Sequence, residues 1–311
     1  MIQCILIQQK TSSHQLATKK AIMQAESILH AQAALGEGSL WNPVTARLYW
    51  VDIEGRALHI FDPATGQDRY LPTGARVGTV VPMRDGNVLV ALQTGIHRLD
   101  TTTGALTCLV NPLTDESLRF NDGKCDPAGR FWVGTFDLRL RARAGTLYRF
   151  DPDGRLHVML RGITNSNGIT WSRDHATMYY IDTPTLTVQA FDYDNNTGNI
   201  ANPRAIIRFA AGAGWPDGMT LDAEDNLWVA LWGGGAVHCY DPTTGALLQV
   251  VGVPAPFTSS CAFGGPELKT LFITSARGGL TPQQQAEFPL SGDVFATEPG
   301  VVGIPACFFG A

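Results

Sequence analysis

The sequence predicts an all-β chain folded as a six-bladed β-propeller, and three observations carry that prediction. First, residues 119–134 (RFNDGKCDPAGRFWVG) recur in altered form at 36–52 (GEGSLWNPVTARLYWVD), 165–182 (NSNGITWSRDHATMYYID) and 215–230 (WPDGMTLDAEDNLWVA). Repeats at intervals of roughly 40–50 residues mark stacked or radially arranged units. Second, six hairpin strands are countable, most of them ending in an apolar-Asp pair before a Gly-containing turn, at 58–62, 96–100, 147–151, 188–192, 236–241 and, in degenerate form, 293–298. Third, no window of helical period is long enough to serve as a crossover helix, which disfavours a parallel α/β sheet. Radial repetition of small sheets limits exposed strand edges, so units of this kind close into a propeller.

In chain order, residues 1–25 read as a polar, flexible N-terminal extension, and 26–311 as one propeller domain. The first strand is expected from Glu26. Each unit then supplies a strand rich in aromatic and β-branched residues, a turn, and a second strand. Trp41, Trp50, Trp132, Trp171 and Trp228 recur at strand positions and are expected to pack between blades. The one helix expected is short, at 281–288, with Thr281 as N-cap and Pro282 at the first position.

Composition narrows the function. The 311 residues are 44% hydrophobic and 16% charged, a globular profile. A formal net charge of −5 with no basic block gives no sign of a nucleic-acid surface. No apolar run approaches the roughly 20 residues of a spanning helix, so no membrane partner is expected. Residues 1–10 lack a positive n-region and a cleavage site, which predicts a cytoplasmic protein. The six cysteines are scattered singly and read as free thiols. Oligomerisation has no readable signal.

The repeats also align a set of polar side chains. Anchored on the polar turn residues Asn42, Asp126, Ser172 and Asp222, the four clear copies place Glu37, Asn121, Asn167 and Asp217 five residues upstream. The two weaker copies contribute Val77 and Ser259. In a propeller the innermost strand of each blade borders the central channel, so this ring converges at its mouth. Glu37, Asn167 and Asp217 offer only oxygen, with charges summing to about −2, which suits calcium, magnesium or manganese. No histidine joins the ring, which argues against a histidine-based zinc site but leaves zinc on oxygen ligands open. His59, His97, His157 and His238 fall outside the register and read as ordinary strand or surface residues. Asn-Gly and Asp-Gly pairs are usually turns. Their shared register, and Glu37 as a poor turn former, favour a ligand site instead.

The stretches GEGSLW, RFNDGKCDPAGRFWVGT, NGITWSRDHATMYYIDT, FDYD, PDGMTLDAEDNLWVA and TSSCAFGGPELKTLFIT resemble the SMP-30/gluconolactonase/luciferin-regenerating-enzyme family, which includes regucalcin, from about Leu35 to the C-terminus. The resemblance implies one catalytic divalent metal ion (Ca, Zn, Mn or Mg) on Glu37, Asn167 and Asp217. It implies substrate contacts from Arg119 and Asn121, and hydrolysis of a small-molecule sugar lactone with Asp217 as ligand and general base. An acidic substrate contact found in some relatives falls nearest Asp137, with Arg139 the ungapped alternative. Ser39 stands where the family often has Pro. Two other readings remain: a phosphotriesterase-like hydrolase using the same metal, and a calcium-binding or interaction propeller without catalysis. Trp215, next but one to Asp217, is placed to line the pocket rim.

Overall fold

The structure, a computed structural model, describes residues 23–310, so the expected extension lies outside it up to residue 22. Six small antiparallel sheets stand in a ring as a six-bladed β-propeller. Their innermost strands are Gly36–Asn42, Val77–Pro82, Leu118–Cys125, Ser166–Trp171, Trp215–Leu221 and Thr258–Gly264. Each touches the next and the sixth touches the first, which closes the channel wall. The other strands of each blade follow outward in chain order, except that the outermost strands of the last two blades come from the N-terminal side.

Closure explains the degenerate sixth repeat. Its blade takes only three strands from the C-terminal part, Thr258–Gly264, Thr270–Ser275 and Val294–Thr297, and its outermost strand is Glu26–Leu29. Ser27 Oγ donates to the buried Asp293 carboxylate at 2.7 Å, and His30 Nδ1 lies 3.0 Å from it. Met23–Gln24 pairs in parallel with Leu247–Gly252 as a fifth strand on the fifth blade. The first described residues therefore bridge two blades rather than leading freely into Glu26.

The anchor residues of the repeat have a local task. Asp126 Oδ1 accepts the backbone N–H of Ala128 and Arg130, and its Oδ2 accepts Trp132 Nε1 at 2.8 Å. Asp222 repeats this with Glu224, Asn226 and Trp228, the last at 2.9 Å. One side chain thus closes the turn and satisfies the only polar atom of a fully buried indole. Trp50, Trp132 and Trp228 are among the largest fully buried side chains, as their strand positions imply.

Thr281 caps the helix Pro282–Glu287 in a capping box with Gln284, as its sequence predicts. Residues 302–310 cross the end of the ring opposite the start of the inner strands, bridging to Asp222 and Met83. The five described cysteines are free thiols. No helix among the described residues is long and apolar enough to cross a membrane.

Candidate metal centre

All six inner strands bulge at the aligned ring position. The register against the second strand slips between Glu37 and Leu40, Val77 and Thr79, Phe120 and Gly123, Asn167 and Ile169, Pro216 and Met219, and Thr258 and Ser260. A bulge re-aims one side chain out of the alternation of a regular strand. Here the bulges bring Asn121 within hydrogen-bond distance of Asn167, and Asp217 within electrostatic reach of Glu37. The Asn-Gly and Asp-Gly pairs, so suggestive of turns, lie inside these strands, and their glycines let neighbours approach. A Cβ on Gly168 would stand 2.6 Å from Met219 Cβ and 2.7 Å from the Asp217 carbonyl oxygen. One on Gly78 would collide with the backbone of Phe120.

The polar ring residues do not contribute equally. Arg119 Nη1 donates to Asn121 Oδ1 at 2.5 Å and to the Phe120 carbonyl at 3.0 Å, with its guanidinium 4.8 Å above the Phe136 ring. Asn121 Nδ2 donates to the Ser166 carbonyl at 2.7 Å and to Asn167 Oδ1 at 3.0 Å. Asn167 Nδ2 in turn donates to Thr183 Oγ1 at 2.7 Å. Glu37 Oε2 accepts from Gly38 N at 3.1 Å, while Asp217 Oδ1 is buried with no hydrogen-bond partner. Ser259 instead ties the first and sixth blades together, donating to the Gly36 carbonyl at 2.5 Å, and Val77 is core.

The electrostatics are those of a site built for positive charge. Glu37 and Asp217 are only 6% and 5% exposed. Burial pushes the Glu37 carboxyl up to about 8, with the charge of Asp122 adding to the rise against the opposing pull of Gly38 N–H and Arg119. Burial likewise raises Asp217 well above the carboxylate range, followed by repulsion from Glu37 and Asp122. Two buried carboxylates that repel each other, one of them with an orphaned oxygen, fit a divalent cation. Among the described residues no cluster of three His, Cys, Asp or Glu is disposed to hold a metal. Asn167 adds an amide oxygen at the same register position of the fourth blade.

Asp137 stands apart. Its Oδ1 accepts Arg139 N at 2.8 Å, its Oδ2 accepts the Arg141 guanidinium, and its side chain is 1% exposed. Both oxygens are committed to its own loop, and Arg139 is exposed on that loop. Arg119 keeps a buried Nε–H without an acceptor, and burial lowers its pKa to about 10. Trp215 is 48% exposed at the same end of the channel.

Two residues escaped the sequence reading. Asp122 occupies the position after the ring residue where four other copies have Gly, or Ser in the sixth; that break in the pattern was its signal. Thr183 lies in a loop outside the repeat register and had none. A separate cavity of about 300 Å³ opens at the opposite end of the ring, where Lys124, Thr170 and Thr220 meet Pro305 and Cys307. Its lining includes Ser39, two residues beyond Glu37, and Lys124, two residues beyond Asp122.

The pattern of the SMP-30/Gluconolactonase/LRE-like region matches residues 35–277. YvrE of Bacillus subtilis, named as a candidate sugar lactone lactonase, is 38% identical over 279 residues, covering 89% of this chain and 94% of that protein. Regucalcin of Danio rerio is 37% identical over 286 residues, covering 91% and 97%. A solved structure from Agrobacterium tumefaciens, described as a calcium-binding protein, regucalcin, superposes with a TM-score of 0.89 at 28% identity, covering 93% and 99%.

Proposed function

This chain belongs to the SMP-30/Gluconolactonase/LRE-like family, and on that premise we propose that it hydrolyses sugar lactones, of the aldonolactone type, with one divalent cation held by Glu37, Asn167 and Asp217. The observation that carries the proposal is the pairing of two buried, mutually repelling carboxylates with Arg119, whose Nε–H has no partner in the fold. A scaffold has no need of either. The lactonase name carried by the Bacillus subtilis relative supports the reaction class.

A cation bound there supplies Lewis acidity toward the lactone carbonyl. The remaining work falls to side chains. Arg119 is placed to donate to a sugar hydroxyl or the lactone oxygen, while its Nη1 holds Asn121. Asp217 would accept a proton from the attacking water through the carboxylate oxygen that the cation leaves free. The water oxygen bonds to the carbonyl carbon, the ring C–O bond breaks, and the released alkoxide recovers the proton, giving the aldonic acid. Burial strengthens Asp217 as a base and a neighbouring cation weakens it, so its proton affinity is set by the balance of the two.

The test is lactone hydrolysis, followed with a pH indicator, on EDTA-stripped protein with glucono-, galactono-, xylono- and arabinono-lactone. Each assay is repeated with Ca²⁺, Mg²⁺, Mn²⁺ or Zn²⁺, with Asp217→Ala alongside. Metal-restored turnover that the variant lacks is the expected result. Stoichiometric metal binding without turnover on any lactone would sink the proposal and favour a purely calcium-binding role, the property named for the Agrobacterium tumefaciens structure.

A further inference from the structure

We infer that Thr183 is a positioning residue for the metal site, dictating which atom of the Asn167 amide faces the channel axis; the assignment rests on the metal-dependent reading above. An asparagine can coordinate a cation only through its oxygen, yet the two ends of the amide are nearly identical in shape. Something must forbid the flipped rotamer. Groups of fixed hydrogen-bonding polarity do so on both sides.

On one side stands Thr183, at the start of the short 3₁₀ turn Thr183–Thr185. Its Oγ1 lies 2.8 Å from the Pro216 carbonyl, which can only accept, so the hydroxyl proton must point there. The hydroxyl then has only lone pairs for Asn167, 2.7 Å away, and the atom facing it must be the NH₂. A flipped amide would set two acceptors against each other in a buried pocket. On the other side, Asn121 presents a donor at 3.0 Å to Asn167 Oδ1. The orientation of Asn121 is itself fixed, because its other end takes a 2.5 Å bond from the Arg119 guanidinium, which can only donate. The chain of constraints runs from a proline carbonyl to an arginine, and Asn167 is the member with an oxygen left to share.

Thr183 also joins two ligands. It belongs to the blade that carries Asn167, and the carbonyl it holds belongs to the residue before Asp217. Losing the hydroxyl leaves Asn121 as the one partner orienting the amide and removes a hydrogen bond between those two blades at the site, whereas losing volume alone does neither. Partners that orient metal ligands are typically worth about 10–100-fold in metal affinity.

The experiment compares Thr183→Val, which keeps the shape and removes the hydroxyl, with Thr183→Ser, which restores it. Ca²⁺ affinity of EDTA-stripped protein is measured by titration calorimetry, and protection of the Asn167 side-chain NH₂ against exchange is read by NMR without metal. Thr183→Val should bind about 10–100-fold more weakly and lose the protection, with Thr183→Ser close to the unmutated protein in both. A folded Thr183→Val with undiminished affinity and a protected amide would overturn the inference, as would Ser and Val variants equally impaired. If the unmutated protein binds no divalent cation, the metal reading falls. The NH₂ protection then still decides the orienting role of Thr183.

Discussion

Gly168→Ala tests the link between the repeated bulge and the site. The added methyl would lie 2.6 Å from Met219 Cβ, 2.7 Å from the Asp217 carbonyl oxygen and 2.9 Å from Ile181 Cδ1. Carbon atoms pack at about 3.5–4.0 Å, so roughly 1 Å must be recovered. Two of the three obstacles are fixed to the backbone of the fifth blade's inner strand, and no side-chain rotation relieves them. The fourth and fifth blades must separate at the point where Asn167 and Asp217 face the axis. Overpacking of this kind costs about 1–3 kcal/mol, equivalent to a fall of about 2–12 °C in Tm at roughly 2–4 °C per kcal/mol. Metal distances tolerate only about 0.2 Å, so the same displacement should weaken Ca²⁺ binding at least about tenfold. The matched control is Gly154→Ala, where φ is +87° but nothing lies within 4 Å of the added Cβ. That change carries a backbone cost of about 1–2 kcal/mol and should leave the metal untouched. Calorimetric Tm and metal titration on both variants are the assays. If Gly168→Ala loses stability yet binds metal as tightly as Gly154→Ala, then blade spacing does not set the site.

Two further outcomes follow from the same structure. Glu37 rises from an ordinary 4.5 to about 8 when folded, so its stabilising contribution to metal-free protein is complete below about 4.5 and is lost as pH climbs through about 8. A cation takes the proton's place. The Tm increment produced by Ca²⁺ should therefore grow from pH 6 to pH 8.5, and Glu37→Gln should flatten that growth; an increment independent of pH would contradict the burial argument. Ser27→Ala removes the 2.7 Å bond to the buried Asp293 that fastens the closing strand. A cost of about 1–3 kcal/mol is expected, measured by urea denaturation, and a change below about 0.5 kcal/mol would show that the ring closes without it.

Much of this architecture was legible in the sequence because a propeller turns a linear register into a spatial one. Four units solve the same local problem with a polar anchor that closes a turn, and in two of them, at Asp126 and Asp222, the anchor also caps an indole. Equivalent positions therefore point to the same axis, and counting five residues back from Asn42, Asp126, Ser172 and Asp222 was enough to find Glu37, Asn121, Asn167 and Asp217 as candidates. What lay outside that register was invisible. The strand Glu26–Leu29 finds its partner at Val294–Thr297, and no local pattern encodes a pairing between the two ends of a chain. Asp137, in sequence the carboxylate nearest an expected substrate contact, is engaged by Arg141 only once its loop turns back, with positive φ at Leu140 and Arg143.

The amino-acid order by itself determined the six units, their strands and the set of oxygen donors, since these rest on interactions within some 50 residues of chain. Only the tertiary structure decided which donors are free and which are spent. Asp217 keeps an orphaned oxygen, Ser259 is consumed in joining two blades, and Thr183 orients an amide on a neighbouring strand. The reason is that a buried polar atom is satisfied, or left unsatisfied, by whatever faces it across the channel, and that neighbour is set by the closing of the ring.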